Sequence, residues 1–146
     1  MIDVRVQPGD IDVAAELARL EASGGGAVAS FTGLVRGDGG LTELLLEAYP
    51  GMTETALRGI AEQAAARWPL SALTVVHRHG PLAPGARIVF VGTASRHRAA
   101  ALESCAFLID WLKTGAPFWK RESFADGTSR WVEARGEDDA AAARWA

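Results

Sequence analysis

Wound as a helix, the stretch from Ala99 to Leu112 is apolar on almost every side, with Glu103 and Asp110 its only charges. A helix without a wet face has to be buried, so the chain must supply other layers to cover it. Ser95 opens this helix, Lys113 closes it, Gly115 is placed as its C-cap, and Pro117 forbids continuation. Phe118 to Phe124 then alternates as a strand. So tight a helix-to-strand junction sets Lys113 and Lys120 on opposite sides of a chain reversal, where both ammonium groups can aim into one recess. Taken singly, each lysine has a plain structural account. Lys113 complements the helix dipole, and Lys120 snorkels beside Trp119.

At 146 residues the chain fits one domain, 1–146, long enough to bury a real core. No apolar run approaches the roughly 20 residues needed to cross a bilayer. Met1 to Val6 alternates like a strand and lacks a signal peptide's apolar block, so a cytoplasmic protein is expected, with no membrane partner. One cysteine, Cys105, rules out an internal disulfide and an all-cysteine metal site. The net charge of -3 argues against nucleic-acid binding, so an anion site must be a local cluster of cations.

The remaining elements alternate without a linker or repeat. Asp10 is expected to cap a helix carrying Ile11, Ala14, Leu17 and Ala18, ended by Gly24-Gly25-Gly26. Ala27 to Thr32 and Glu43 to Tyr49 read as strands around a flexible Gly37-Asp38-Gly39-Gly40 loop. Thr53 is expected to cap an amphipathic helix with Ala56, Leu57, Ile60, Ala64 and Trp68 at helical spacing, stopped by Pro69. Leu73 to His79 and Ala86 to Ala94 are strands joined by hairpin chemistry, Ser129 to Arg135 adds a last strand, and Glu137 to Trp145 forms an alanine-rich tail, helical when docked. The fold class is α+β: a single mixed α/β domain with antiparallel strands packed against two or three helices.

Further cations bear on the lysine pair. Arg36 sits where the strand through Phe31 meets the glycine loop. Arg96, His97 and Arg98 crowd a helix N-terminus whose dipole is already positive, an arrangement that makes sense around an anion. A solvated basic turn is the alternative. Arg135 is accounted for by a strand-end salt bridge with Glu133 or Glu137. His77 and His79 share a strand face without the further ligands a metal needs, and read as core-edge or surface histidines. Cys105 reads as a small buried hydrophobe, not a reactive thiol.

Phe31-Thr32-Gly33-Leu34-Val35-Arg36, Leu46 to Glu54 with its Tyr-Pro-Gly-Met, His77-Arg78-His79-Gly80, Ser95-Arg96-His97-Arg98, Lys113 to Glu122 and Arg130 to Arg135 together resemble the catalytic (large) subunit family of molybdopterin synthase. The Leu-Lys-x-x-Ala-Pro-Phe-Trp-Lys block is the most specific piece. Leu34 stands where a polar residue is common in that family, and the glycine loop after Arg36 is shorter.

The resemblance implies a hammerhead-like fold and a sulfurtransferase that converts cyclic pyranopterin monophosphate to molybdopterin. Sulfur would come from the C-terminal Gly-Gly thiocarboxylate of a small ubiquitin-like sulfur-carrier subunit. No cofactor and no metal are implied, and assembly would be a homodimer within a heterotetramer. By analogy Lys113 and Lys120 are catalytic, Lys113 meeting the partner's terminal glycine and Lys120 lying beside the pterin side chain. Substrate binding would involve Leu34, Val35, Arg36, His97, Arg98, Arg121, Glu122 and Arg135 beside those lysines, with Arg135 reaching a neighbouring protomer's pocket. A lysine flanked by Phe118, Trp119 and other cations is expected to have a lowered pKa. Two other functions remain open from the residues alone: a non-catalytic phosphate-binding module, and a lysine Schiff-base enzyme acting on a carbonyl compound.

Overall fold

The computed structural model describes residues 1–132 and 136–145, the side chains of 136–139 excepted. In chain order the elements are β1 (Ile2–Gln7), α1 (Val13–Glu21), β2 (Ala27–Leu34), β3 (Leu41–Ala48), α2 (Met52–Arg67), β4 (Leu70–Arg78), β5 (Gly80–Leu82), β6 (Arg87–Ser95), α3 (Arg98–Gly115), β7 (Phe118–Phe124), β8 (Ser129–Trp131) and α4 (Gly136–Ala143). They build two four-stranded sheets, β1-β4-β6-β2 and β5-β3-β7-β8. β1 runs parallel to β4, and the other pairings are antiparallel. The mixed α/β arrangement is as expected, with four α-helices where two or three were anticipated.

The centre of the first sheet is buried on both faces, which is why β4 and β6 read as near-continuous apolar runs. Alternation divides their side chains. Leu73, Val75, Val89 and Val91 join Leu57, Ala61, Phe107 and Leu108 of α2 and α3. Val76, Phe90 and Ala94 face Ile11 and Leu20 on the α1 side. A third cluster, Val35, Leu41, Leu46 and Leu82, joins the second sheet to the first.

Local details depart from the sequence reading. β6 keeps pairing as far as Ser95, against both Ala27 and Leu70, so α3 starts at Arg98 and not at Ser95. That helix also has a wet side, because Leu102 is 62% exposed. Gly115 is its last helical residue, and the cap is Ala116 in extended backbone at φ -83° and ψ 123°. Pro117 enforces that conformation by disfavouring the helical region for the residue before it. Asp12, not Asp10, caps α1 by accepting from the Ala15 N–H at 3.1 Å, while Asp10 accepts from the Ile11 N–H and faces Arg87. Gly51, at φ 80°, caps α2 in place of Thr53. The link from β4 to β6 is no simple hairpin, for β5 leaves to pair with β3 and ties the two sheets together. The expected last strand is seen as Ser129–Trp131, and the rest of its range, 133–135, lies outside the described residues.

Candidate active site

Between the two sheets, beneath the final turn of α3, lies a recess of about 220 Å³. Its apolar walls include Leu44, Leu46, Ile88, Leu112 and Phe118, and its polar lining includes His77, Lys113, Thr114 and Lys120. Strand parity explains the arrangement. Lys120 lies opposite Leu46 in the register of β3 and β7, and shares a strand face with Phe118. Lys113 comes from the end of α3, just before the Ala116-Pro117 turn that reverses the chain into β7. Lys113 and Lys120 are the only lysines in a chain with thirteen arginines. Arginine stays protonated, whereas lysine can give up a proton or act as a compact ammonium, so the recess offers a chemistry that the arginines elsewhere do not.

The turn between the lysines is pinned from below. Thr53 is 1% exposed, and its hydroxyl donates to the Pro117 carbonyl at 3.0 Å while accepting from the Tyr49 N–H at 2.9 Å. The Tyr-Pro-Gly-Met-Thr segment therefore braces the reversal that positions both ammonium groups.

His77 is the residue sequence reasoning passed over. It is buried, and its ring stacks on Phe118 with centroids 4.0 Å apart and planes at 23°. Its Nδ1 lies 2.8 Å from the Arg78 carbonyl oxygen. A carbonyl can only accept, so the neutral ring carries its hydrogen on Nδ1 and leaves a lone pair on Nε2. Burial pushes the imidazole down to about 4; the hydrogen bond to the Arg78 carbonyl pulls it up by less, and Lys120, Lys113 and His79 add smaller downward pushes. The ring is therefore neutral near pH 7. A signal was available: in β4, position 77 shares parity with Leu73 and Val75, which face α2 and α3, whereas His79 lies beyond the strand and lines another cleft.

Among the described residues, the other anticipated site residues do not line this recess. Arg98 and Lys113 sit near opposite ends of α3, fifteen residues or about 22 Å apart along the axis. Arg36 follows β2, whose register places Leu34 beside Arg87 and Ala27 beside Ser95. Arg36 and the Arg96-His97-Arg98 turn are thus at opposite ends of one strand pair. His97 and Arg98 are exposed, with no side-chain cap on the helix N-terminus. Val35 is a core residue and Leu34 is 55% exposed. Arg121, one position from Lys120, turns to the other face, its guanidinium 5.7 Å from the Trp131 ring centroid. Glu122 pairs with Arg130 at 3.1 Å. Arg135 lies outside the described residues. Among the described cations a single chain thus gathers the two lysines here, while Arg36, Arg98 and Arg121 lie elsewhere.

Among the described residues no group of three or more His, Cys, Asp or Glu is placed to hold a metal, and no helix is long and apolar enough to cross a membrane. Cys105 is buried, and that burial pushes its thiol up to about 11.

Comparison with known proteins gives a consistent result. A family model described as MoaE protein matches residues 6–115. A molybdopterin synthase catalytic subunit from Mesorhizobium japonicum is 53% identical over 146 residues, covering 97% of this chain and 92% of that protein. The solved structure of a molybdopterin biosynthesis MoaE protein from Burkholderia ambifaria superposes with a TM-score of 0.86 at 49% identity, over 99% of this chain and 98% of that one. A complex of subunits 1 and 2 of molybdopterin-converting factor from Helicobacter pylori shares the fold, with a TM-score of 0.75 at 21% identity over 91% of this chain and 90% of that one.

Proposed function

Because this chain belongs to the MoaE family, it is a molybdopterin synthase catalytic subunit, a sulfur-transferring enzyme, and we propose that the two-lysine recess is where sulfur is delivered. The observation that carries this reading is the convergence of the chain's only two lysines on one apolar-walled recess. Two ammonium groups there create a strong local positive field in a molecule of net charge -3. The opening suits the tip of an extended anionic tail, and the tail proposed is the C-terminal Gly-Gly thiocarboxylate of a small ubiquitin-like subunit. Its substrate is cyclic pyranopterin monophosphate, and the enzyme acts in the cytoplasm.

In this reading Lys113 holds the thiocarboxylate and Lys120 lies beside the pterin side chain. The thiocarboxylate sulfur attacks a side-chain carbon of the pterin precursor as a carbon–oxygen bond at that carbon breaks, its oxygen leaving as water or as the freed phosphate oxygen. Water then cleaves the acyl–sulfur bond, leaving a carboxylate on the carrier and a thiolate on the pterin. A lysine supplies and takes the protons these steps require. Two such transfers make the dithiolene.

Arg36, His97, Arg98, Arg121 and Arg135 are proposed to bind phosphate and pterin oxygens, with Leu34, Val35 and Glu122 shaping the approach. Since Arg36 and Arg98 lie at opposite ends of one strand pair, a second copy of the chain is needed to bring both ends to one substrate. β2 is an edge strand with Val28, Phe31 and Leu34 exposed, which supports a homodimer, and with a small subunit on each copy a heterotetramer. Purified chain, thiocarboxylated small subunit and cyclic pyranopterin monophosphate should together yield molybdopterin. Binding of both reactants without product would overturn the reading.

A further inference from the structure

The neutral histidine at the floor of a doubly cationic recess has a use that the lysines alone do not explain. The Arg78 carbonyl fixes the hydrogen on Nδ1, and the stack on Phe118 fixes the ring plane, so the imidazole cannot swing or change tautomer without losing a contact. With Nδ1 held by the Arg78 carbonyl, Nε2 is the ring nitrogen left for another partner, and His77 lines the same recess as Lys113 and Lys120. The charged groups acting on the ring are Lys120, Lys113 and His79, and the described lining contains no carboxylate. In that company a lone pair on nitrogen attracts an ammonium hydrogen.

We infer that His77 is a positioning residue of the recess: its unprotonated Nε2 accepts a hydrogen from a lysine ammonium, Lys120 foremost, and aims that group's other N–H donors at the bound anion. A carboxylate in this place would neutralise the lysine charge and compete with the substrate. A neutral acceptor orients the ammonium and leaves its charge for the incoming anion. The low basicity that burial imposes on the ring serves the same end, because a protonated His77 would have no lone pair and would repel both lysines. The inference deepens the sulfur-transfer reading and rests on it only for the identity of the anion.

Two measurements test it independently. Nitrogen-15 spectra of histidine-labelled wild-type chain should show His77 with a protonated Nδ1 and a bare Nε2, and the ring should stay neutral down to about pH 5, as burial demands. This readout needs no turnover, so it stands or falls separately from the sulfur-transfer reading. A spectrum with the hydrogen on Nε2 overturns the inference.

In turnover, His77→Phe keeps the ring stack and removes the acceptor. It should lower kcat by roughly a hundredfold with KM little changed, the scale expected when a catalytic group is misplaced by about 1 Å. His77→Gln, whose amide oxygen reaches toward the Nε2 position, should recover most of that loss. Wild-type kcat in His77→Phe, or equal impairment of the two variants, overturns the inference. If His77→Phe does not fold, the His77→Gln rate and the wild-type nitrogen spectrum still decide.

Discussion

Replacing Thr53 by valine should loosen the lysine pair without touching either lysine. Valine matches threonine in shape, so burial and volume are almost unchanged at a residue only 1% exposed. The variant loses the bond donated to the Pro117 carbonyl at 3.0 Å and the bond accepted from the Tyr49 N–H at 2.9 Å. A net hydrogen bond contributes about 0.5–1.5 kcal/mol, and stranding a buried partner costs about 1–3 kcal/mol. Both stranded groups are only partly buried, so water relieves part of that penalty and the expected loss is roughly 2–4 kcal/mol. For a chain of this size it corresponds to a fall in Tm of about 5–12 °C. The same change frees the Pro117 turn, and product formation by the folded variant should drop about ten- to a hundredfold as the ammonium groups lose their placement. Thr53→Ser keeps the hydroxyl and should lose only about 1 kcal/mol for its missing methyl. Thermal melts followed by circular dichroism, with turnover measured well below the transition, provide the test. A valine variant as stable as wild type, or a serine variant as damaged as valine, would refute the bracing role.

Lys113→Ala and Lys120→Ala should each abolish most dithiolene formation while leaving the melting curve near wild type, and Lys→Arg at either position should also fail, because guanidinium does not exchange its proton near neutrality. Retained rates in any of these purified variants would remove the assignment. Glu16 is 3% exposed and accepts from Arg5 at 2.6 Å and pairs with Arg19 at 2.7 Å. Burial pushes its carboxyl up, but the hydrogen bonds from Arg5 and Arg19 outweigh that and hold it below its ordinary value of 4.5. The stabilisation is therefore complete above that value and is lost as pH falls through the lower folded-state value. Glu16→Gln should cost about 1–3 kcal/mol at pH 7, less than a fully buried pair because both arginines stay partly exposed. Its deficit should shrink on acidification, and a pH-independent deficit in chemical denaturation would contradict the linkage. Cys105, buried with its thiol pushed up to about 11, should resist thiol reagents until the chain unfolds, and Cys105→Ala should retain wild-type product formation. Rapid labelling of native protein would disprove it.

The elements most legible in the sequence were those whose signal is local. Phe118 to Phe124 alternates and is β7 with those bounds. Leu57, Ile60 and Ala64 repeat at helical spacing and are buried in α2. The lysine pair was legible for the same reason, since a helix end and a strand start joined by Ala116-Pro117 leave little freedom in how the two side chains converge. Errors fell where a local signal had a competitor elsewhere in the fold. Ser95 looks like a helix cap, but its hydroxyl donates to the Pro69 carbonyl at 2.9 Å and its backbone still belongs to β6. Thr53 looks like another, but its oxygen is claimed by Tyr49 and Pro117. Asp10 gave way to Asp12 as the α1 cap because Arg87 holds its carboxylate at 3.2 Å.

Residue pattern alone settled that this chain buries a long helix beside a sheet, carries a mildly acidic net charge, and places two amines across one turn. Those outcomes follow from periodicity, charge and proline chemistry, which act over a few residues. Which cations share a recess, and that His77 sits neutral among them, was decided by sheet order and strand register, which join segments far apart in the chain. An eight-residue strand holds Arg36 and Arg98 apart as firmly as Pro117 draws Lys113 and Lys120 together. Hydrogen-bonded strands are rigid over that length, and no short-range pattern of residues records which end of a strand a distant arginine will occupy.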